Sequence, residues 1–244
     1  MFLQPRTAAY SAQDQLVWKI LFDRQHALLH RRAAPAFSQG LERLGLGRNT
    51  IPDLGELSAE IRQLTGWELL AFGQPVSQTL FFELLARRQF PVVTRLRAMR
   101  DFDFSPQPDL FHDLFGHVPM LLNVGFADFL QQLGLAAQAL APANKLGRQQ
   151  LWALYFFTAE FGLVLHEGKP KLYGAGLLSS AGEIHHCGDA GTPRLDFDLA
   201  AVLRTPVRDT RFQNQYFVLP DLTLLVDCVT ELSRLGVGEW RVAA

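Results

Sequence analysis

The sequence predicts a mainly helical α+β fold with a small sheet, formed by one compact domain over residues 1–244. The chain has 244 residues and 48% of them are hydrophobic, which is enough for one sizeable core. Apolar residues recur at helical spacing in several long segments, whereas segments rich in β-branched residues are short. No internal repeat or low-complexity stretch divides the chain.

Start and stop signals define the helices of the N-terminal third. Ser11 to Asp14 form a capping-box pattern before the first helix. The apolar face predicted for that helix consists of Leu16, Val17, Ile20 and Leu21. A second helix should end at Gly66, and a third should begin after Ser77.

The remaining elements follow from residue content and periodicity. The β-branched residues of segment 90–94 predict a short strand, which Pro91 would confine to a sheet edge or a strand start. Helices are expected over about 124–140, 148–166 and 221–234. Short extended segments are expected over about 171–175 and 215–219.

The overall composition argues against several classes of partner. Lys and Arg number 23 against 24 Asp and Glu, so no net field favours nucleic acid or an anionic membrane. Cys187 and Cys228 are too few for a disulfide framework, and residues 1–6 do not resemble a signal peptide. No run of 18 apolar residues is present. We therefore expect a cytoplasmic protein that binds a small molecule, and because nothing in the pattern demands self-association, a monomer.

One carboxylate stands in an almost wholly apolar helical segment. Glu160 lies within residues 151–165, where no polar stripe can bring it to the surface. An ionised carboxylate in a dry core needs a metal, a cationic partner or a proton to offset the cost of burial. The sequence therefore predicts a strong partner for Glu160, and we interpret that partner as a metal ion.

Two histidines upstream complete a candidate metal site. His112 and His117 are five positions apart, which on an ideal α-helix leaves them about 140° out of register. We therefore expect His112 near the end of a helix and His117 on a bend, which Gly116 and Pro119 would produce. Two histidines and one carboxylate are typical of a non-haem iron site with an open face for oxygen.

Other interpretations stay open on the residues alone. The same three ligands also make a catalytic zinc site, and a lone histidine is usually a hydrogen-bonded core residue. His185, His186, Cys187 and Asp189 also resemble metal ligands, but adjacent residues seldom face one ion, so we predict a loop without a metal. Asp113 is either a contact near the metal or a solvated helix residue.

Several motifs resemble one enzyme family in order and spacing. They are the segments 108–119, 155–163, 173–180 and 216–220, with 10–18 and 64–69 near the N-terminus. Through them the chain resembles the pterin-dependent aromatic amino acid hydroxylases, especially the short bacterial phenylalanine 4-hydroxylases. The resemblance implies a single catalytic domain with core motifs over about 64–220. It also implies that neither a regulatory domain nor a tetramerisation helix is present.

The resemblance implies a monooxygenase reaction on a free aromatic amino acid. One oxygen atom of O2 would enter the ring, while a tetrahydropterin supplies two electrons and takes the other oxygen atom, with Fe(2+) as the metal. The favoured reaction converts L-phenylalanine to L-tyrosine. Tryptophan 5-hydroxylation is the near alternative, and a zinc hydrolase or a non-catalytic metal- or amino-acid-binding protein comes from other classes.

The resemblance also assigns roles to residues at matching positions. Catalytic iron would be bound by His112, His117 and Glu160. The substrate would contact Arg97, Ser105, Pro108, Asp109, Phe156, Phe161, Gly176 and Ser179. The tetrahydropterin would contact Phe81, Asp113 and Tyr155. A guanidinium suits the substrate carboxylate because it can donate two parallel hydrogen bonds, and Asp109 would orient Arg97.

Two positions depart from the family pattern. Phe156 stands where phenylalanine hydroxylases usually have tryptophan and tryptophan hydroxylases have phenylalanine. The smaller ring leaves more room in the pocket and favours acceptance of an indole. Trp152 stands where the family usually has a small residue beside the pterin. Either the pterin is placed differently or Trp152 turns into the core.

Overall fold

The computed structural model describes residues 10–103, 105, 107–141, 143–208 and 210–234. Residues 1–6, on which the expectation about a signal peptide depends, lie outside these ranges. The α-helices are α1 Ala12–Leu29, α2 Pro35–Arg43, α3 Leu54–Thr65, α4 Gln78–Ala86, α5 Val124–Ala139, α6 Lys145–Tyr155, α7 Ala175–Leu178, α8 Ala181–Gly188, α9 Leu199–Arg204 and α10 Leu224–Arg234. The strands are β1 Glu68–Phe72, β2 Gln89–Val93, β3 Leu163–His166, β4 Lys169–Leu172, β5 Arg194–Asp196 and β6 Tyr216–Leu219. The predicted mainly helical fold with a small sheet component is confirmed.

Besides the α-helices, the described residues form two π-helical and two 3-10 segments. The π-helical segments are π1 His112–His117 and π2 Phe156–Glu160. The 3-10 segments are Met99–Asp101 and Val118–Leu122. In the described part of the chain, no helix has the length and apolar character needed to cross a membrane.

The helix boundary signals of the N-terminal third are confirmed. The Ser11 hydroxyl accepts the Asp14 N–H at 3.1 Å, and the Asp14 carboxylate accepts the Ser11 N–H at 2.9 Å. Gly66 ends α3 in the left-handed region with φ of 76°, and Ser77 caps α4. The predicted face of α1 is partly wrong because Leu16 is 51% exposed. The buried residues of α1 are Val17, Trp18, Leu21, Phe22, Gln25 and Leu29.

The strands of the described part of the chain form two separate sheets. β1 and β2 pair in parallel as a two-stranded sheet, so Pro91 lies on an edge strand as predicted. The second sheet has the order β4-β3-β6-β5, in which β3 pairs antiparallel with β4 and parallel with β6. β5 runs parallel to β6.

The predicted helix over 148–166 is wrong at its C-terminal end. The helical backbone stops at Glu160, and residues 163–166 form β3, because Leu163 and Val164 pair with both β4 and β6. A short apolar run does not distinguish a buried helix from a buried strand by periodicity. The extended segment expected over 171–175 is also shifted, since β4 covers 169–172 and α7 begins at Ala175.

The hydrophobic core surrounds π1. Phe111 and Phe115 stack with ring centroids 4.7 Å apart, and both are fully buried. Trp18 of α1 and Phe37 of α2 pack edge-on against these rings. The N-terminal helices therefore hold π1 in place through aromatic contacts.

Candidate metal centre and substrate cavity

His112 and His117 lie on one continuous helical segment, contrary to the bend that the sequence suggested. π1 has i→i+5 hydrogen bonds, such as the one from the Val118 N–H to the Asp113 carbonyl. Residues five apart then lie about one turn apart and share a face. Gly116 has no positive φ, and its lack of a side chain lets Ala175 approach, since an added Cβ would lie 3.0 Å from the Ala175 Cβ.

The second π-helical segment positions the carboxylate in the same way. The Phe161 N–H donates to the Phe156 carbonyl at 3.0 Å, again across five residues. Tyr155 and Glu160 are also five apart, and the Tyr155 hydroxyl donates to Glu160 Oε1 at 2.7 Å. Two short π-helical stretches thus present the two histidines and the carboxylate to one point.

The three predicted ligand groups converge closely. His117 Nε2 lies 3.1 Å from His112 Nε2 and 3.1 Å from Glu160 Oε1, and His112 Nε2 lies 3.5 Å from Glu160 Oε2. Ligand atoms at right angles about 2.1 Å from a common ion would be about 3.0 Å apart. The observed separations therefore fit a site in which all three groups bind one ion and leave its opposite face open.

A second carboxylate competes for the role of third ligand. Asp113 offers an oxygen within 4.8 Å of a ring nitrogen of each histidine. Its Oδ2 already accepts the Val93 N–H at 2.6 Å, and burial raises its pKa to about 7. Glu160 is closer to both Nε2 atoms, and its pKa lies well below the usual range. These contacts favour Glu160 over Asp113 as the ligand.

The hydrogen bonds of His112 determine its tautomer. Ser179 donates its hydroxyl hydrogen to the Ala175 carbonyl at 2.8 Å, so its oxygen can only accept from His112 Nδ1, which lies 2.9 Å away. In its neutral form, His112 therefore carries its proton on Nδ1 and has a free lone pair on Nε2. A neutral imidazole held in this way is the form that binds a metal.

Burial and neighbouring charges set the protonation of the cluster. Burial raises the pKa of Glu160, but His117 and then His112 lower it well below its usual range. Burial lowers the pKa of His117 below its usual value. Burial also acts to lower the pKa of His112, but Glu160, together with Asp113 and Asp109, raises it above its usual value. Glu160 is thus ionised at neutral pH, and a bound metal would compete with a proton at His112.

A buried ion pair lies beside the cluster. Arg97 Nε and Nη2 donate to the two oxygens of Asp109 at 2.9 and 2.7 Å, and both side chains are at most 2% exposed. Asp109 Oδ1 also accepts the His112 N–H at 3.0 Å, and Arg97 Nη1 donates to the Ser179 carbonyl at 3.2 Å. Burial raises the pKa of Asp109, but Arg97 lowers it below the usual value.

The cluster opens into a cavity of about 580 Å³. Of the residues to which the sequence assigns roles, those that line it are Phe81, Arg97, Ser105, Pro108, His112, Asp113, His117, Tyr155, Phe156, Glu160, Phe161, Gly176 and Ser179. Asp109 lies behind Arg97 instead. The structure therefore brings these residues together, while the individual contacts to iron, pterin and substrate stay predictions.

The two departures from the family pattern also line the cavity. Phe156 is buried, and its ring centroid lies 4.7 Å from that of Phe161. Trp152 is half-buried and stacks on Tyr155 at 5.2 Å, with edge contacts to Phe81 and Phe82. Trp152 therefore forms part of the cavity wall and also packs against α4.

The predicted loop around His185 is wrong. Residues 181–188 form α8, because the Ser180 hydroxyl accepts the Glu183 N–H at 3.2 Å and starts a helix there. His186 Nε2 bonds the Gln213 carbonyl at 2.9 Å. The candidate ligands found close together among the described residues lie around His112 and His117, with Glu160 and Asp113, and the predicted lack of a metal cluster at 185–189 stays a prediction.

Sequence reasoning missed some residues that line the cavity. They include Phe90, Gln107, Ser180, Glu183 and Thr210. Glu183 is 2% exposed, although the Ser180-x-x-Glu183 pattern is usual at an exposed helix start. That pattern could have been weighed against the apolar neighbours Ala181 and Ile184, which indicate a buried helix.

Comparisons with known proteins agree with this arrangement. A family model described as "Biopterin-dependent aromatic amino acid hydroxylase" matches residues 5–233. Phenylalanine-4-hydroxylase of Chromobacterium violaceum is 41% identical over 222 residues, covering 89% of this chain and 73% of that enzyme. Phenylalanine-4-hydroxylase of Mesorhizobium japonicum is also 41% identical, covering 89% of this chain and 79% of that enzyme.

A solved structure shows the same fold. The crystal structure of the Chromobacterium violaceum phenylalanine hydroxylase with bound iron(III) and 7,8-dihydrobiopterin superposes with a TM-score of 0.87. The sequence identity is 37%, and the match covers 98% of this chain and 89% of that one.

Proposed function

Because the chain belongs to the biopterin-dependent aromatic amino acid hydroxylases, we propose that it hydroxylates free L-phenylalanine to L-tyrosine. The reaction uses Fe(2+), a tetrahydropterin and O2. The observation that carries the proposal is the convergence of His112, His117 and Glu160 within 3.5 Å, in a cavity that also contains a buried arginine. Such a site offers an iron atom and an anion-binding group to the same small molecule.

His112, His117 and Glu160 are the residues that hold the iron. When bound, iron and tetrahydropterin together supply the oxygen activation and the two electrons. Ser179 keeps His112 in the tautomer whose Nε2 can bind, and the Tyr155 hydroxyl fixes Glu160 Oε1. These two supporting contacts orient His112 and Glu160 towards the metal position.

Arg97 binds the substrate carboxylate. The contacts of the described residues use three of its five N–H groups, so two remain for a ligand in the cavity. Asp109 fixes the guanidinium plane through two hydrogen bonds and balances its charge. This arrangement holds the amino acid backbone in one position, which fixes the ring carbon that faces the metal.

Aromatic and small residues shape the rest of the cavity. Pro108, Phe156, Phe161 and Gly176 contact the substrate ring, and an added Cβ at Gly176 would lie 2.7 Å from the Phe161 ring. Ser105 lies beside the substrate. Phe81, Asp113 and Tyr155 would contact the pterin, and the Phe81 ring would stack on it.

L-tryptophan is the second candidate substrate, because Phe156 leaves room for an indole in the cavity wall. A zinc hydrolase and a non-catalytic binding protein remain as outcomes of the test below. A monomeric state and a cytoplasmic location are further parts of the proposal, and size-exclusion chromatography with light scattering tests the first.

The experiment supplies iron-loaded protein with tetrahydropterin, oxygen and equal amounts of phenylalanine and tryptophan. Products are identified by chromatography and mass, and a reaction without pterin is the control. We expect tyrosine as the main product, formed only with pterin present. A main product of 5-hydroxytryptophan would contradict the substrate assignment and make Phe156 a specificity residue.

Absence of both products, with iron shown to be bound, would contradict the proposed activity. Ester or amide cleavage without pterin would then indicate a zinc hydrolase. A Trp152→Ala variant tests the binding protein, because Trp152 lines the cavity wall beside Tyr155. If this variant binds pterin and the wild type does not, the protein is a metal-binding protein whose pterin site is blocked.

A further inference from the structure

Glu183 is a buried carboxylate in the cavity that the proposed roles leave unused. It is 2% exposed and lines the same cavity as Arg97 and the metal-binding cluster. Its Oε1 accepts the Tyr216 hydroxyl at 2.8 Å and the Gln213 N–H at 3.1 Å. No hydrogen bond from the described residues reaches its second oxygen. One carboxylate oxygen is therefore fixed and the other is available to a ligand.

The local structure gives Glu183 no other task. Ser180-x-x-Glu183 has the sequence of a capping box, and the Ser180 hydroxyl accepts the Glu183 N–H. The glutamate does not return the bond to the Ser180 N–H, as it does in a complete box. Its side chain instead turns to residues about 30 positions away. Stability of α8 alone thus does not explain the position of the carboxylate.

The charge on Glu183 has no cationic partner in the described part of the chain. The ion pairs of these residues do not include it, and its two donors are neutral. The other carboxylates of the cavity wall are already used, since Glu160 faces two imidazoles and Asp113 accepts the Val93 N–H. A buried carboxylate without a cation is costly, so a cationic ligand would stabilise it.

Glu183 and Arg97 are held by neighbouring residues. Arg97 Nη1 donates to the Ser179 carbonyl, and Ser180, the next residue, caps the helix that carries Glu183. A free amino acid has its positive and negative groups on one carbon atom, so the protein groups that bind them must lie close together. Arg97 and Glu183 are both buried, line one cavity and are bonded to consecutive residues, which is the kind of arrangement this requirement calls for.

We propose that the Glu183 carboxylate binds the α-ammonium group of the substrate, while Arg97 binds its α-carboxylate. The assignment deepens the proposed function and rests on it. It makes the cavity specific for free amino acids, because a ligand without the ammonium group leaves Glu183 unpaired. It also explains why the two donors fix Oε1, since an oriented carboxylate loses less freedom on binding.

The test compares two ligands that differ only in the amino group. L-phenylalanine and 3-phenylpropanoate are titrated calorimetrically into the iron-loaded protein without oxygen, for the wild type and for Glu183→Gln. The amide keeps the shape and an acceptor for Tyr216 and Gln213 but removes the charge. We expect the variant to bind phenylalanine at least about tenfold more weakly, with the affinity for 3-phenylpropanoate changed less than about twofold.

Equal weakening of both ligands, or no change in either, would overturn the assignment and leave Glu183 a structural residue. Failure of the wild type to bind phenylalanine would overturn the proposed function together with the assignment. If Glu183→Gln does not fold, Glu183→Asp takes its place, because it keeps the charge but withdraws it by one methylene. The Glu183→Asp variant should then bind phenylalanine more weakly than the wild type does and bind 3-phenylpropanoate with unchanged affinity. Any other result overturns the assignment.

Discussion

Two buried polar clusters meet at Ser179 and differ in how their charges are balanced. In the Arg97–Asp109 pair, a cation faces an anion through two hydrogen bonds, and the charges cancel within the protein. In the His112–His117–Glu160 cluster, lone pairs of two imidazoles and one carboxylate face the same point. The charges of the first cluster are balanced without a ligand, although Arg97 keeps two unused N–H groups, whereas the second cluster is suited to an added cation.

This difference predicts different effects of substitution. Substitution of either residue of the Arg97–Asp109 pair leaves an uncompensated buried charge, so the protein should lose stability. Substitution of a residue in the His112–His117–Glu160 cluster removes a metal ligand and leaves no unbalanced cation in the core. Metal affinity should therefore fall while the protein still folds. Ser179 joins the clusters, because its carbonyl accepts from Arg97 and its hydroxyl accepts from His112.

The largest effect is expected for Asp109→Asn. The amide leaves the Arg97 charge unbalanced in a site where both side chains are nearly inaccessible, which should lower the free energy of unfolding by about 3–5 kcal/mol. Urea denaturation monitored by circular dichroism measures the loss. A change below about 1 kcal/mol would show that the pair does not stabilise the fold.

The pH dependence provides a control for this prediction. The pKa of Asp109 is lowered in the folded protein, so its contribution is present above the unfolded pKa and is lost as pH falls through the folded value. The stability difference between wild type and Asp109→Asn should therefore shrink below about pH 4. A difference that stays constant down to pH 3 would point to altered packing rather than lost charge.

The next effect in size is expected for Glu160→Gln. Removal of the charge should lower iron affinity by more than about a hundredfold, because ligand loss exceeds the effect of losing a supporting hydrogen bond. Competition with a chelator measures the affinity, and thermal unfolding checks that the fold is kept.

Asp113→Asn is the matched control for Glu160→Gln, because Asp113 is the rival carboxylate of the cluster. An amide oxygen can still accept the Val93 N–H, so iron affinity should change little. If Asp113→Asn loses iron and Glu160→Gln keeps it, Asp113 is the ligand.

A smaller effect is expected for Ser179→Ala, which removes the acceptor of the His112 Nδ1 proton. Iron affinity should fall about 10–100-fold, as is usual for groups that orient a metal-binding histidine. Ser180→Ala is the neighbouring control, since its hydroxyl donates to the Asp103 carbonyl and does not contact His112. Equal losses in both variants would contradict a specific role for Ser179.

Much of this organisation could be predicted from the sequence. The capping signals at Ser11 and Ser77 and the stop at Gly66 depend on local contacts, so they gave correct helix boundaries. The metal-site residues were found because Glu160 is a charge within an apolar run. The structure brings Glu160 and the two histidines together, as predicted. The choice of iron as the bound ion depends on the family resemblance.

The π-helical backbone was not predicted, because the spacing of His112 and His117 was compared only with an ideal α-helix. The sequence spacing could have indicated it, because His112 and His117 are five residues apart, as are Tyr155 and Glu160. Residues with this spacing share a face in a π-helix. The role of Glu183 was also missed, because its burial depends on Gln213 and Tyr216, about 30 residues away. Local patterns do not contain such long-range contacts.

The smallest effect is expected where Phe156 and Phe161 line the cavity, because this part of the wall belongs to neither polar cluster. Phe156→Trp fills space beside Phe161, so the ratio of kcat/KM for phenylalanine over tryptophan should rise about tenfold. Phe157→Leu is the control, because Phe157 packs on Phe217 in the core and does not line the cavity; it should lower stability and leave the ratio unchanged. A ratio unchanged by Phe156→Trp would mean that the groups binding the amino acid backbone, rather than the cavity wall, determine which ring is accepted.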